Sequence, residues 1–182
     1  MARCYSDAMN WRQPLPEIWL ISDARNDATL EQALKRLPRG SGLVFRHYHL
    51  PPAERRERFH RLRRIVRALG HRIALSGSVA QARRWGADAA YGADLAKGPA
   101  HMRLVTVHSL RELRRAARAD AVLLSPVFAT RSHPGGKVLG PLRWHAIAAH
   151  SRVPVIALGG IDARRAARLG ARHWAGIDAF LR

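Results

Sequence analysis

Two segments of this 182-residue chain hold residue types suited to binding anions. The first is Gly159-Gly160-Ile161-Asp162, which follows a short apolar run and leads into the helical pattern Asp162–Leu169. Glycines leave backbone N–H groups unshielded, and a helix start beside them favours a phosphate. The same pair equally suits a tight turn that needs positive φ. The second is the stretch Ser125–Lys137, SPVFATRSHPGGK. It gathers the hydroxyls of Thr130 and Ser132, the cations Arg131 and Lys137, His133 and two glycines. Such a mixture can hold a phosphate or pyrophosphate, and long loops in compact domains tend to be functional. An ordinary mobile loop is the alternative.

Other chemistry is thinly represented. Ten histidines invite a metal hypothesis, but none sits in an HExxH or comparable ligand pair. His47 and His49 would share one face of an extended segment, with no third ligand implied. Most of the ten read as surface or partly buried polar residues. No G-x-S-x-G elbow, Walker A loop or dinucleotide fingerprint occurs. A single cysteine, Cys4, excludes an internal disulfide and a cysteine-based zinc cluster.

The elements that must position these residues follow one grammar. Short apolar runs predict strands at Ile18–Ser22, Leu43–Arg46, Ile73–Leu75, Ala89–Tyr91, Leu104–Val107, Ala121–Leu124, Val155–Leu158 and His173–Ile177. Helical patterns lie between most of them. Ala53–Leu69 places Phe59, Leu62, Val66 and Leu69 on one stripe. The arginines around that stripe, from Arg55 to Arg67, read as a solvated face. Ser78–Trp85 ends at Gly86. Ser109 and Glu112 form a capping box for Ser109–Arg118. Pro141–Ala149 opens on proline, and Asp162–Leu169 stops at Gly170.

Eight strands alternating with helices predict a single α/β domain, a compact (β/α)8 TIM barrel, over residues 1–182, with 1–15 as an extension. A doubly wound open sheet is the structural alternative. Gly92–Met102 reads as a loop in place of the fourth helix, and no real helix follows the eighth strand, from which homodimer association is an expectation. In a barrel the site lies at the C-terminal strand ends. That rule adds Arg46 and His47 after strand two, Ser76-Gly77 after strand three, Asp94 after strand four, and Thr106 and His108 at strand five. Only Asp23 and Asp94 are carboxylates on this face without an obvious capping role.

Apolar residues make up 47% of the chain, so it should fold around one substantial core. No stretch nears the roughly 20 apolar residues a membrane helix needs, and the first 13 residues hold no secretory h-region. A cytoplasmic setting follows as the expectation. The formal net charge is +19, which would attract a polyanion such as nucleic acid. All but Lys35, Lys97 and Lys137 of the 32 basic residues are arginine, scattered over the helical segments without a basic tail or a nucleic-acid motif. An arginine-rich nucleic-acid binder is therefore kept only as the third functional alternative.

The runs Val107-His-Ser-Leu-Arg-Glu-Leu113, Ala119–Gly135, Leu139-Gly-Pro-Leu142 and Val153-Pro-Val-Ile-Ala-Leu-Gly-Gly-Ile161 together resemble the thiamine phosphate synthase family, which includes the thiazole tautomerases. The resemblance is dense from about Val105 to Asp162. It implies a barrel that joins hydroxymethylpyrimidine pyrophosphate to a thiazole phosphate with Mg2+. By position, Gly159 and Gly160 match the thiazole phosphate grip, and Thr130 and Ser132 match a hydroxyl pair. His133 falls where a pyrophosphate lysine is usual, with Lys137 beyond it. Thr106, His108 and Arg46 match the catalytic face, and Asp94 is the surviving candidate for a metal carboxylate. The departures are specific. Val44 and Tyr48 replace a glutamine and a lysine, and Ser76-Gly77 replaces Asn-Asp. Ala175-Gly176-Ile177-Asp178 replaces a serine-containing phosphate turn, and Pro126 lies near the place of the tautomerase histidine. An isomerase, or a barrel that binds a small phosphate without synthesis, is the alternative the resemblance leaves open.

Overall fold

The protein is described by a computed structural model over residues 14–92, 101–132 and 134–180. Eight parallel strands close into a barrel in chain order. They are β1 Ile18–Ile21, β2 Gly42–Phe45, β3 Arg72–Ser76, β4 Ala89–Gly92, β5 Met102–Val107, β6 Ala121–Leu124, β7 Val155–Leu158 and β8 His173–Gly176. The ring is sealed by β1 against β8, with Ile18 opposite Trp174 and Leu20 opposite Gly176. The described helices are α1 Leu30–Arg36, α2 Pro52–Ala68, α3 Val79–Trp85, α4 Leu110–Arg115, α5 Gly140–Ala148 and α6 Ala163–Leu169.

Side-chain parity explains the core. Along each strand alternate residues face the barrel axis or the helices. Trp19, Ile21, Val44, Ala74, Ala89, Met102, Leu104, Ala121, Leu123, Ile156 and Ala175 fill the interior. The opposite parity of β1–β4, including Leu20, Leu43, Phe45, Ile73 and Leu75, packs with Leu30, Leu34, Phe59 and Leu62 of the first helices. Val107, Val122, Leu124 and Ala157 do the same with Leu113, Trp144 and Ile147. Each fully buried large aliphatic contributes about 1.5–3 kcal/mol. The interior is filled by unequal partners. A Cβ on Gly42 would stand 2.2 Å from the Trp19 ring, so the glycine makes room for the indole.

Helix α1 is not foreseen from the sequence. Its stripe is Leu30, Ala33, Leu34 and Leu37, all buried, at spacings of three and four. A 3-10 turn, Ala24–Thr29, leads into it. Asp23 caps that turn, accepting the Arg25 N–H at 3.3 Å while Asn26 Oδ1 accepts the Asp23 N–H at 2.9 Å. Asp23 is thus a helix cap after all, which corrects its assignment as a free carboxylate. Ser109 caps α4 as expected, its Oγ accepting the Glu112 N–H at 3.3 Å, but the return bond of the box is shifted by one residue, Glu112 accepting the His108 N–H at 2.8 Å and the Ser109 hydroxyl at 3.1 Å. After β8 the described residues form one 3-10 turn, Asp178–Phe180, with the Phe180 ring stacked 5.3 Å from Trp174. The expected loop in place of the fourth helix falls largely outside the described residues.

The face of α2 is not simply solvated. Phe59, Leu62 and Val66 are buried as predicted, but three arginines are tied inward. Arg55 donates to the Arg46 carbonyl and the Ser76 carbonyl, both at 2.7 Å, and lies over Phe45, Tyr48 and Trp85. Arg58 pairs with Asp27 and Glu31. Arg63 donates to the Gly86 carbonyl at 2.7 Å. The planar guanidinium serves as a clamp between layers, which lysine could not reproduce.

Candidate functional site

The C-terminal strand ends surround a cavity of about 1190 Å³. Its floor is the topmost inward layer of the barrel: Ile21, Ser76, Tyr91, Thr106, Ser125 and Leu158. Arg46, Ser76, Thr106, His108, Thr130, Ser132, Lys137, Gly159 and Gly160 line it, whereas Asp23, His47 and Gly77, also expected at the strand ends, do not. His133 and Asp94 lie outside the described residues.

Backbone contacts fix Arg46. Its N–H donates to Ser22 Oγ at 2.8 Å, its carbonyl accepts from Arg55, and its guanidinium lies 5.4 Å from the Tyr48 ring. Tyr48 in turn shares a short hydrogen bond with Ser76. The two positions where the resemblance expects a lysine and the Asn-Asp pair are therefore joined to each other. Tyr91, which no sequence motif singles out, accepts the Thr106 hydroxyl at 3.0 Å. Burial raises the Tyr91 phenol above its ordinary range, against the Thr106 hydrogen bond, so it stays protonated.

His108 is exposed and held by one ring nitrogen. Its Nδ1 lies 2.9 Å from the Ser125 carbonyl, which can only accept, so Nδ1 carries a proton there. In the neutral ring that leaves Nε2 as the free acceptor or base.

The strand-six loop is held from two sides. Gly159 has φ +95° and Gly160 φ +60°. A Cβ on Gly159 would meet Pro126 at 2.7 Å, and one on Gly160 would meet the Ala129 carbonyl at 2.2 Å. The Phe128 N–H donates to the Gly159 carbonyl at 3.0 Å. The tight-turn reading of the glycines is thus satisfied in full, and their place at the cavity wall is compatible with anion binding as well. From the other side Arg25 donates to Ser132 Oγ at 2.9 Å, pairs with Asp23 at 2.8 Å and approaches Asp178 at 3.5 Å. Sequence reasoning misses Arg25, because its role depends on partners more than 100 positions away.

The cavity is cationic. Arg46, Arg131, Lys137, Arg143 and Arg165 line it, against Asp162 and Asp178. Asp162 is occupied as the cap of α6, accepting the Arg165 N–H at 2.8 Å. Asp178 faces Arg25 through Oδ2, while its Oδ1 is buried without a hydrogen-bond partner. These two carboxylates are engaged separately and do not make a magnesium donor set among the described residues. The described trio that could ligate a cation is Asp27, His47 and His49, and none of the three lines the cavity. Asp27 completes that trio, and the sequence pattern does not reveal it. No described helix is long and apolar enough to cross a membrane.

A family model described as thiamine monophosphate synthase matches residues 18–180. A protein named "Putative thiamine-phosphate synthase 2" from Aquifex aeolicus is 36% identical over 81 residues, 42% of this chain and 44% of the relative. The match thus spans less than half of that relative's length. Among solved structures, thiamine phosphate pyrophosphorylase from Pyrococcus furiosus superposes with a TM-score of 0.74 at 24% identity, covering 91% of this chain and 86% of the other. FabK from Thermotoga maritima superposes with a TM-score of 0.67 at 19% identity, over 92% of this chain and 59% of the other. At these identities the two structures speak for the barrel fold alone.

Proposed function

Since the chain belongs to the thiamine monophosphate synthase family, we propose that it is a transferase of thiamine biosynthesis, joining hydroxymethylpyrimidine pyrophosphate to a thiazole phosphate. One observation carries this reading. Residues from the ends of β2, β5, β6 and β7 that match the family by position converge on one cationic cavity. In the reaction the bond from the pyrimidine methylene to the pyrophosphate oxygen breaks, and pyrophosphate leaves with the electron pair. The thiazole nitrogen lone pair then forms the new C–N bond, with no change of oxidation state. Arg46, Arg131 and Lys137 neutralise the departing anion as charge develops, where preorganised donors act most strongly. Thr130, Ser132 and the backbone at Gly159-Gly160 hold the thiazole phosphate. His108 offers Nε2 to the pyrimidine, and Thr106 and Tyr91 form the floor against which the ring is oriented.

Magnesium, when bound, would add to the neutralisation of the leaving pyrophosphate. Asp94 is the proposed carboxylate for it, and Asp94→Asn tests that assignment. The decisive experiment incubates the full chain with both substrates, with and without Mg2+, and measures thiamine phosphate. Product formation supports the synthase. No product under either condition would overturn it.

A second reading is an isomerase or a binder of a small phosphorylated thiazole. It is favoured by Ser76, bonded to Tyr48 where the resemblance expects the metal-binding pair, and by Asp178, a carboxylate at the strand-eight corner. Calorimetric binding of thiazole phosphate without turnover would select it.

A further inference from the structure

A second site lies beside the cavity, at the ends of β1 and β2. Asp27, His47 and His49 bring one ligand atom each to within 4.8 Å of one another. His47 is fully buried, yet it has φ +42°, the single non-glycine residue with positive φ among those described. A bulky residue in the left-handed region stores strain that surrounding contacts must hold. Those contacts are specific. The imidazole stacks on Phe45 with ring centres 4.5 Å apart. Its Nδ1 lies 2.8 Å from Ser22 Oγ and its Nε2 2.8 Å from Asp27 Oδ1. His49 brings its ring to 5.2 Å from that of His47, with Nε2 4.0 Å from Asp27 Oδ2.

We propose that Asp27 Oδ2, His47 Nε2 and His49 Nε2 bind a divalent transition-metal ion of the Zn2+ class, with a fourth position open to water. Two imidazoles and one carboxylate are the donors such an ion prefers, and three protein ligands with one open position is a common arrangement. Tetrahedral zinc ligands stand about 3.3 Å apart, given bond lengths of about 2.0–2.2 Å. Closing the present trio onto an ion therefore needs the ligand atoms to draw together by up to about 1.5 Å, with His49, 35% exposed, less enclosed than the fully buried His47. The supporting contacts are in place. In the metal-free site Asp27 Oδ1 can only accept, so His47 Nε2 carries the ring proton and Nδ1 accepts from Ser22. An ion would displace the Nε2 proton, and with the remaining proton on Nδ1 the ring would donate to Ser22 Oγ, which then orients it as outer partners of metal-bound histidines do. Arg58 grips Asp27 Oδ1 at 2.7 Å but also pairs with Glu31. With neutral histidines, Asp27, Arg58 and Glu31 sum to one negative charge, and Oδ2 remains directed at His49. This is a locally anionic spot in a chain of net charge +19. It connects to the cavity through Arg46, whose N–H rests on the same Ser22 Oγ.

The test uses the full chain stripped with chelator. Zn2+ is titrated by calorimetry, and Co2+ by its visible d–d absorption, into the wild type, His49→Gln and His150→Gln. His150 is an exposed histidine whose Nδ1 bonds its own helix. The expected result is one equivalent bound, tetrahedral Co2+ bands, at least a tenfold loss of affinity in His49→Gln, and none in His150→Gln. His49 is partly exposed, so His49→Gln should keep its metal-free melting temperature. Absence of stoichiometric binding would overturn the proposal. So would binding that His49→Gln leaves intact, which would place the metal on scattered surface histidines.

Discussion

Gly160→Ala is the sharpest test of how β7 shapes the cavity wall. Two effects act at this position. A non-glycine residue at φ +60° costs about 1–2 kcal/mol. The new methyl would also stand 2.2 Å from the Ala129 carbonyl and 3.0 Å from Phe128. These are backbone and near-backbone atoms of the strand-six loop, which cannot swing aside as a side-chain tip can. Overpacking of that kind costs about 1–3 kcal/mol. Gly170→Ala supplies the control, since Gly170 has φ +66° but nothing within 4 Å of the added methyl. It should lose only the backbone share. The difference between the variants is then about 1–3 kcal/mol. With a urea m-value of about 2 kcal/mol per molar, the midpoint of Gly160→Ala should fall about 0.5–1.5 M below that of Gly170→Ala. Because the displaced loop carries Thr130 and Ser132, thiazole phosphate affinity should drop in Gly160→Ala and hold in Gly170→Ala. Equal midpoints for the two variants would refute the claim that this glycine is required by close approach as well as by φ.

Three further outcomes are expected. Arg46→Gln should lower turnover of the proposed transferase by about 10²-fold or more, as loss of one preorganised donor does, with little change in melting temperature. Arg25→Gln removes partly exposed contacts to Asp23, Ser132 and Asp178, so stability should change by about 0–1 kcal/mol while tryptic cleavage after Arg131 accelerates. His71 is held neutral by burial, opposed by its hydrogen bond to the Leu34 carbonyl, so its folded pKa lies below the ordinary 6.5. The unfolded chain then binds the extra proton first, and stability should fall as pH drops below about 6.5. His71→Gln, which keeps an N–H for Leu34, should flatten that part of the thermal-denaturation profile.

Much of the barrel is legible because strands buried on both faces produce short apolar runs, and turns between them need glycine, proline and capping residues. Ala121–Leu124 and Val155–Leu158 match to the residue. Helix α1 escapes notice because it is seven residues long and follows a 3-10 turn, so its stripe is too brief to stand out before Leu37. At the cavity, residues named from the strand ends and the resemblance, such as Gly159, Thr106 and His108, line the wall. Those that depend on distant partners do not. Arg25 reaches Ser132 across the barrel mouth, and Asp27 meets His47 only because β1 and β2 end side by side. Asp23 shows the converse. Its side chain looks available in sequence, but a cap with Asn26 as the return partner is hard to see when the turn is 3-10.

The same geometry reinterprets the charge. Not every arginine behind the net charge of +19 is an idle surface cation. Arg55, Arg58, Arg63 and Arg103 each donate to carbonyls or carboxylates between elements. Arg55 lies over Phe45, Tyr48 and Trp85 and fastens α2 to the ends of β2 and β3. The burial that lowers the pKa of Arg55 has the same origin. What sets the cavity apart is that Arg46, Arg131 and Lys137 converge there while its two described carboxylates are already committed to Arg25 and to the cap of α6. Field lines from convergent cations concentrate in a concave, partly apolar space far more than those from side chains spread over a convex helix. In the proposed function, that convergence is what would hold a small phosphorylated substrate in the barrel mouth.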